Sequence, residues 1–233
     1  MSEVKKFVPS AALLALAAII STGAWAHAAR ASDSTYNWAG YLATSARYSS
    51  VSGSWVVPKM ASSSAETANG QWVGIGGYTS ADLIQTGTRA ISEDGATRYE
   101  AWYELIPAPA VVVPLAITPG DSVSAFIFEI SPGEWSIILS NLSTGETYET
   151  QVSYASSHSS AEWVEEMPKG PDSYVPLGNF SPITFYNART VANGTIVSAR
   201  AAGARALSLV TEAGESLASP TPLLAADTFR VAR

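Results

Sequence analysis

The side chains that could catalyse a reaction are few in this chain of 233 residues. Cysteine is absent, which excludes thiol catalysis and disulfide bonds together. Of the two histidines, His27 falls in the N-terminal segment, and His158 lies in the stretch YASSHSSAEW without the glycines that flank a nucleophilic serine. A Ser-His-Asp triad would therefore depend on His158 alone. One histidine, no thiolate and no carboxylate cluster of the calcium-loop type lead us to predict no metal site and no cofactor.

Two acids and a tryptophan occupy alternate positions in the stretch RYEAWYELIP. Because side chains alternate along a strand, Glu100, Trp102 and Glu104 would point the same way. Such a face would make a polar, aromatic floor for a groove that binds an extended polymer. The same pattern also fits a solvent-facing edge strand whose acids have no function, and the stretch alone does not decide between them.

A second group of acids, Glu162, Glu165 and Glu166, lies in the stretch SAEWVEEMPKGP. The serines before it could cap a single helical turn. In an extended backbone, Glu162 and Glu166 would instead share one face, with Glu165 beside Trp163 on the other. Desolvation by large apolar neighbours raises the pKa of a carboxyl group, as is common for a general acid or base. An acidic surface turn without function is the alternative.

The chain after its N-terminal segment consists of short aromatic and β-branched stretches such as GSWVVP, QWVGIGG, SVSAFIFEI and EWSIILSNL. Turn signals separate them, among them Pro-Gly at 119–120 and Asn-Gly at 193–194. Many short antiparallel strands at even spacing favour a two-sheet sandwich or a barrel. Since no linker, composition break or internal repeat interrupts the pattern, we predict one all-β domain over residues 29–233.

Residues 1–28 have the layout of a secretory signal peptide. Lys5 and Lys6 precede an apolar run from Ala11 to Ile20, and small residues follow up to Ala28. The aliphatic run is shorter than the roughly 20 residues that a membrane-spanning helix needs; an uncleaved anchor is the alternative. We therefore predict a secreted, extracellular protein without membrane contact after cleavage.

The composition narrows the range of partners. The formal net charge is −7, and 14% of the residues are charged. An acidic chain of this kind argues against nucleic acid and anionic membranes as partners. Seven tryptophans and ten tyrosines can fill a core without disulfides, and we predict a monomer.

Five segments, in this order along the chain, resemble those of the glutamic peptidase (eqolisin) family: NWAGYL, WVGIGG…DLIQTGT, YEAWYELIP, SAEWVEEMP and FSPITF. That family includes the fungal acid endopeptidases with a Gln/Glu dyad. The resemblance implies a sandwich of two large, curved antiparallel sheets, of the type found in legume lectins and glucanases. It also implies polypeptide substrates.

The resemblance assigns site residues by position. The glutamine of the family's ILQTG segment falls on Gln85 and the catalytic glutamate of its AEWIVE segment falls on Glu166, whereas Glu162 takes the place of a glutamate that is not catalytic. Positions near the substrate groove fall on Trp38, Trp72, Glu100, Trp102 and Glu104. The function implied is a secreted endopeptidase that hydrolyses peptide bonds in acid, with Glu166 as general base and acid on water and Gln85 stabilising the oxyanion.

The chain departs from the fungal pattern at several positions. Gly76 replaces an aspartate close to the dyad, which removes a carboxylate and weakens the expectation of extreme acid preference. Glu165 replaces an apolar residue. The absence of cysteine, and fewer than a dozen residues between the predicted cleavage site and Asn37, resemble a prokaryotic-type member without a long propeptide.

Two other functions fit an acidic, tryptophan-rich sandwich. One is a carbohydrate-active protein with Glu100 and Glu104 as an acid pair, although residues four apart on a strand are about 13 Å apart and glycosidase carboxyl groups about 5–9.5 Å. The other is a non-catalytic secreted binding module that keeps the fold.

Overall fold

The computed structural model describes residues 33–170 and 172–233, so the predicted signal peptide lies outside the described residues. It contains sixteen strands and, within those ranges, no helix. The strands are β1 (Asp33–Thr35), β2 (Trp38–Ala43), β3 (Tyr48–Val56), β4 (Thr67–Gly76), β5 (Leu83–Glu93), β6 (Ala96–Ile106), β7 (Val111–Val112), β8 (Ser122–Ser131), β9 (Glu134–Asn141), β10 (Glu146–Ser153), β11 (Ala161–Glu166), β12 (Ile183–Ala192), β13 (Thr195–Ser198), β14 (Arg205–Val210), β15 (Ser216–Pro220) and β16 (Phe229–Ala232).

The strands form two layers, and the predicted all-β class is confirmed. One layer, here the cleft layer, has the order β14-β2-β11-β4-β5-β6-β7, and the other, the back layer, has the order β10-β9-β8-β3-β12-β16. Neighbours within each layer are antiparallel, while β1 adds to β14 in parallel. Strand β15 pairs with both β14 and β16 and so joins the layers. In the part of the chain that the structure describes, no helix is long and apolar enough to cross a membrane.

The segment around Glu166 is extended, so the alternative of a helical turn is wrong. Residues 161–166 form β11 at the centre of the cleft layer, between β2 and β4. Backbone hydrogen bonds on both sides therefore hold this strand straight and outweigh the capping potential of the preceding serines. Its alternation places Glu162 and Glu166 on one face and Trp163 and Glu165 on the other.

The core lies between the inner faces of the two layers, and its large members are aromatic. Trp55, Trp135, Trp163 and Phe185 are fully buried there. Two indoles also join the layers by hydrogen bonds: Trp163 donates to the Ser52 carbonyl at 2.7 Å, and Trp55 donates to Thr88 Oγ1 at 2.9 Å. Packing and polar cross-links together fix how the cleft layer sits on the back layer.

Two glutamates are fully buried in this framework. Glu165 faces the core and accepts a hydrogen bond of 2.7 Å from Gln71 Nε2. Glu162 lies on the opposite face of β11 with no exposed surface. Burial raises the pKa of both carboxyl groups well above its usual value, and the Asp82 carboxylate adds to the rise at Glu162. Both groups are therefore protonated in the folded protein under acid conditions.

The buried pair predicts that the fold loses stability as the pH rises. A carboxyl group whose pKa is raised by folding stabilises the fold fully below its unfolded pKa, and that stability is lost towards the raised folded pKa. We expect the melting temperature to fall by several degrees between pH 5 and pH 8, since ~1 kcal/mol shifts it by about 2–4 °C in a domain of this size. Thermal unfolding followed by circular dichroism measures this.

The substitution Glu165→Gln should make that fall smaller, because an amide can keep the hydrogen bond from Gln71 and carries no charge at any pH. The matched control is Glu146→Gln on the exposed strand β10, which should leave the pH dependence unchanged. A melting temperature that is the same at pH 5 and pH 8 would contradict the assignment.

Candidate active site

The cleft-layer strands β11, β4, β5 and β6 place the predicted dyad on one exposed face. Glu166 is opposite Gly70 of β4, and Gly70 is opposite Arg89 of β5. Gln85 of β5 is opposite Glu104 of β6. Directly opposed residues in antiparallel strands project from the same face, so these side chains stand over one surface of the sheet.

The carboxyl group of Glu166 accepts three hydrogen bonds. Trp38 Nε1 and Asn37 Nδ2 each donate to Oε1 at 3.1 Å, and Trp72 Nε1 donates to Oε2 at 2.8 Å. The two indoles come from the strands on either side of β11 and contact each other edge to face, with ring centroids 5.0 Å apart. Both oxygens are therefore held in place, and the orientation of the group is fixed by its neighbours.

The environment raises the pKa of Glu166 to about 7. Burial is the main cause, and the Glu104 carboxylate raises the pKa further, whereas the hydrogen bonds from Trp38, Trp72 and Asn37 lower it. The result is a carboxyl group that exchanges its proton near neutral pH. This is the range in which a general base and acid works best.

The amide of Gln85 is fixed from one side. Its Nε2 donates a hydrogen bond of 2.6 Å to Glu104 Oε2, while its Oε1 is buried and has no hydrogen-bond partner. Burial raises the pKa of Glu104, although the hydrogen bond from Gln85 and the charge of Arg89 lower it in part. One hydrogen of the Gln85 amide nitrogen and the whole of its carbonyl oxygen are left for another partner.

One cavity of about 410 Å³ contains both members of the dyad. Its lining is half polar and half apolar, and consists of Asn37, Trp38, Gly70, Leu83, Gln85, Arg89, Trp102, Glu104, Ile106, Ala110, Glu166, Pro168, Lys169, Gly170 and Tyr174. The hydrogen bonds among the described residues include none between Gln85 and Glu166. The two groups therefore face a shared space that can hold a water molecule and a peptide group.

The other predicted site residues have different positions. Trp102 and Glu104 line the cavity, and Trp72 lies fully buried beneath it. Glu100 instead bonds to two arginines: Arg89 Nη2 at 2.7 Å and Arg98 Nε at 3.2 Å. The structure thus places Glu100 next to a residue that lines the cavity, and a direct contact of Glu100 with substrate stays a prediction.

Sequence reasoning missed Asn37, Arg89 and the hydrogen bond between Gln85 and Glu104, although it had placed Glu104 near the substrate groove. The turn Asp94–Gly95, where both residues have positive φ, could have revealed the last two. An Asp-Gly pair at this point predicts a two-residue hairpin turn. Counting outwards from it pairs Arg89 with Glu100 and Gln85 with Glu104, as observed.

The ring of His158 has a structural position. Its Nδ1 lies 2.8 Å from the Tyr48 carbonyl oxygen, and its Nε2 lies 2.8 Å from an Arg47 nitrogen. The ring also stacks on Trp135. Both ring nitrogens are thus occupied by groups other than a serine hydroxyl.

Known proteins resemble this chain in sequence over most of its length. The Peptidase A4 family matches residues 36–230. Aspergillopepsin-2 from Aspergillus niger is 31% identical over 186 residues, which make up 69% of this chain and 66% of that protein. The chain belongs to the Peptidase A4 family. The predicted membership of the glutamic peptidases is thereby confirmed.

Solved structures of Peptidase A4 relatives have the same fold. Scytalido-glutamic peptidase, crystallised with a transition state analog inhibitor, has 25% identity and a TM-score of 0.75, covering 84% of this chain and 98% of that one. Aspergilloglutamic peptidase from Aspergillus niger has 29% identity and a TM-score of 0.64, covering 71% and 98%. These likenesses confirm the predicted β-sandwich.

The contact of Glu166 with two indoles predicts a spectroscopic titration. When Glu166 ionises, a negative charge appears beside Trp38 and Trp72, so the tryptophan emission should change with a midpoint near pH 7. Glu166→Gln should remove that transition, while Glu146→Gln on β10 should keep it. A transition that persists in Glu166→Gln would show that another group causes it.

Proposed function

We propose that this member of the Peptidase A4 family is a secreted endopeptidase that cleaves polypeptides through Gln85 and Glu166. The observation that carries the proposal is that one cavity contains both the Glu166 carboxyl group, held by three N–H donors, and the Gln85 amide, whose Oε1 has no hydrogen-bond partner. Secretion rests on the sequence pattern of residues 1–28.

Hydrolysis begins with a water molecule between the two groups. Glu166 as carboxylate takes a proton from the water, whose oxygen forms a bond to the carbonyl carbon of the substrate. Negative charge develops on the carbonyl oxygen, and the free Nε2 hydrogen of Gln85 donates to it. Glu166 then gives its proton to the amide nitrogen, the C–N bond breaks, and a carboxylic acid and an amine leave.

Glu104 acts as a positioning residue in this scheme. Its hydrogen bond to Gln85 Nε2 decides which end of the amide faces Glu104 and which hydrogen faces the substrate. A hydrogen bond from the backbone N–H of Ala110 also lowers the pKa of Glu104. Pre-oriented donors of this kind need no reorganisation when charge develops.

The pKa of Glu166 sets the working pH range. The general base must be ionised, and at pH 5 a group with a pKa of about 7 is ionised in roughly one molecule in a hundred. The rate should therefore rise from acid towards neutral pH. We propose that the enzyme is most active in weakly acid to neutral solution, which is a higher pH range than the family resemblance alone implies.

The decisive experiment compares cleavage of a denatured protein between pH 3 and pH 8 by residues 29–233 and two variants. The wild type should cleave it, faster at pH 6 than at pH 4, in the presence of pepstatin, a thiol blocker and a chelator. Glu166→Gln should abolish cleavage. Gln85→Ala should lower the rate by on the order of 10²–10³, the usual loss for one oxyanion donor.

The matched controls Glu146→Gln and Gln151→Ala change the same residue types at exposed positions of β10 and should retain full activity. Cleavage that survives Glu166→Gln would overturn the dyad. A folded wild type that cleaves nothing at any pH would favour the non-catalytic binding module, and polysaccharide hydrolysis that survives Glu166→Gln would favour the carbohydrate-active protein.

Variants of Glu104 test its positioning role. Glu104→Ala should lower kcat by about tenfold or more with little change in KM, because the Gln85 amide loses its fixed orientation. Glu104→Gln should restore most of the rate, since its carbonyl oxygen can accept the same hydrogen bond. Steady-state kinetics on one peptide measure both. Equal loss in the two variants would show that the charge of Glu104 matters instead of its acceptor.

A further inference from the structure

Strand β4, which lies between Glu166 of β11 and Arg89 of β5, contributes no side chain to the part of the cavity next to Glu166. Gly70 lies in register between Glu166 and Arg89 and lines the cavity. A Cβ atom at Gly70 would approach nothing closer than the Thr88 carbonyl oxygen at 3.8 Å and Arg89 Cβ at 3.9 Å. The backbone there would thus accept a side chain, and the space above it is open.

Other glycines of the same face differ from Gly70. A Cβ atom at Gly74 would lie 2.9 Å from Leu83 and Trp72 atoms, and one at Gly87 would lie 2.0 Å from the Gln71 carbonyl oxygen. Packing explains why those two positions lack a side chain. Packing does not explain why position 70 lacks a side chain, and the free volume over Gly70 is part of the cavity.

Two cations border this free volume. Arg89 lines the cavity from β5, with 27% of its side chain exposed, and both its Nε and its Nη2 lie 2.7 Å from the same oxygen of Glu100. Lys169 also lines the cavity, and backbone hydrogen bonds from Gly170 to Ser173 and from Val175 to Pro168 hold the residues on either side of it. The ion pairs of the described residues include none for Lys169.

The acids that share the cavity balance these cations only in part. Glu166 accepts three hydrogen bonds from Asn37, Trp38 and Trp72, and Glu104 accepts one from Gln85. Among the described residues, neither acid forms an ion pair with Arg89 or Lys169. Glu100 lies behind Arg89 and compensates that one guanidinium. The positive charge of Lys169 is thus available to a bound group.

We propose that Gly70, Arg89 and Lys169 form a substrate subsite next to the scissile bond that prefers an acidic side chain, glutamate above all. The open space over Gly70 gives room for the side chain, Lys169 supplies the uncompensated positive charge that attracts its carboxylate, and Arg89 borders the same space. The inference rests on the proposed peptidase function and names a substrate class for it.

Cleavage of matched peptides at pH 6 tests the subsite. The peptides carry Glu, Gln, Ala or Lys in turn at each of the three positions on either side of one cleavage site. At one position the wild type should prefer Glu over Lys by at least about tenfold in kcat/KM, because an opposite charge next to Lys169 is favourable and a like charge there is unfavourable. Equal rates for all four residues at every position would overturn the subsite.

Two variants assign the preference to these residues. Lys169→Glu should reverse the order, so that the Lys peptide is cleaved faster than the Glu peptide, while Lys59→Ala on a different surface should keep the wild-type ratio. Gly70→Leu should lower the ratio of Glu to Ala peptide by about tenfold or more, because its side chain fills the open space. An unchanged ratio in either cavity variant would contradict the assignment.

Binding separates the subsite from the chemistry. Glu166→Gln retains the cavity, so its affinity for the Glu and Lys peptides can be measured by tryptophan fluorescence without cleavage. Tighter binding of the Glu peptide supports the subsite even if the wild type cleaves nothing. Equal affinity for both peptides overturns it even if the wild type is an active peptidase.

Discussion

The structure of the site depends on the three N–H donors that hold the carboxyl group of Glu166. Two of them are indoles on the strands that flank β11, and the third is the amide of Asn37. Indole N–H groups do not titrate and have a fixed direction. They therefore stabilise the carboxylate enough to offset part of its burial, without the strong drop in pKa that an arginine would cause.

This arrangement explains why aromatic residues are needed below as well as around the cavity. Trp72 is fully buried, yet its N–H reaches the carboxyl group, and the ring of Trp38 packs against it. Gly87, opposite Trp72, has no room for a Cβ atom. The position of the carboxyl group thus depends on a packed layer that extends across three strands.

Much of this could be predicted from the sequence, because strand alternation is a local property. It placed Glu100, Trp102 and Glu104 on one face of their strand and Glu162 and Glu166 on one face of theirs, and the structure puts both groups on the same face of the cleft layer. The partners of these acids are non-local. The ion pair of Glu100 with Arg89 across the hairpin could not be read from alternation. The dyad residues lie near each other because β4 pairs with both β11 and β5.

Position 76 shows a further limit of reasoning from sequence. The family pattern has an acid there, and Gly76 reads as a simple loss of charge. In the structure Gly76 has φ +89°, and a Cβ atom would lie 2.5 Å from the Asp82 carbonyl oxygen. Burial alone would raise the pKa of Asp82, but hydrogen bonds from Ser157 and Ser80 lower it. The backbone at position 76 thus has a conformation that suits glycine, and the sequence alone does not reveal this.

Strand β15 gives the sandwich a closed side and an open side. Because it pairs with β14 at Ala218 and with β16 at Pro220, backbone hydrogen bonds connect the two layers continuously at this side. The far ends of the layers, β7 and β10, are free edges. Separating the layers at β15 would break backbone hydrogen bonds. Separating them at the free edges would disrupt only side-chain packing. Ala110, next to β7, lines the cavity, so the cavity extends from the centre of the cleft layer to its free edge.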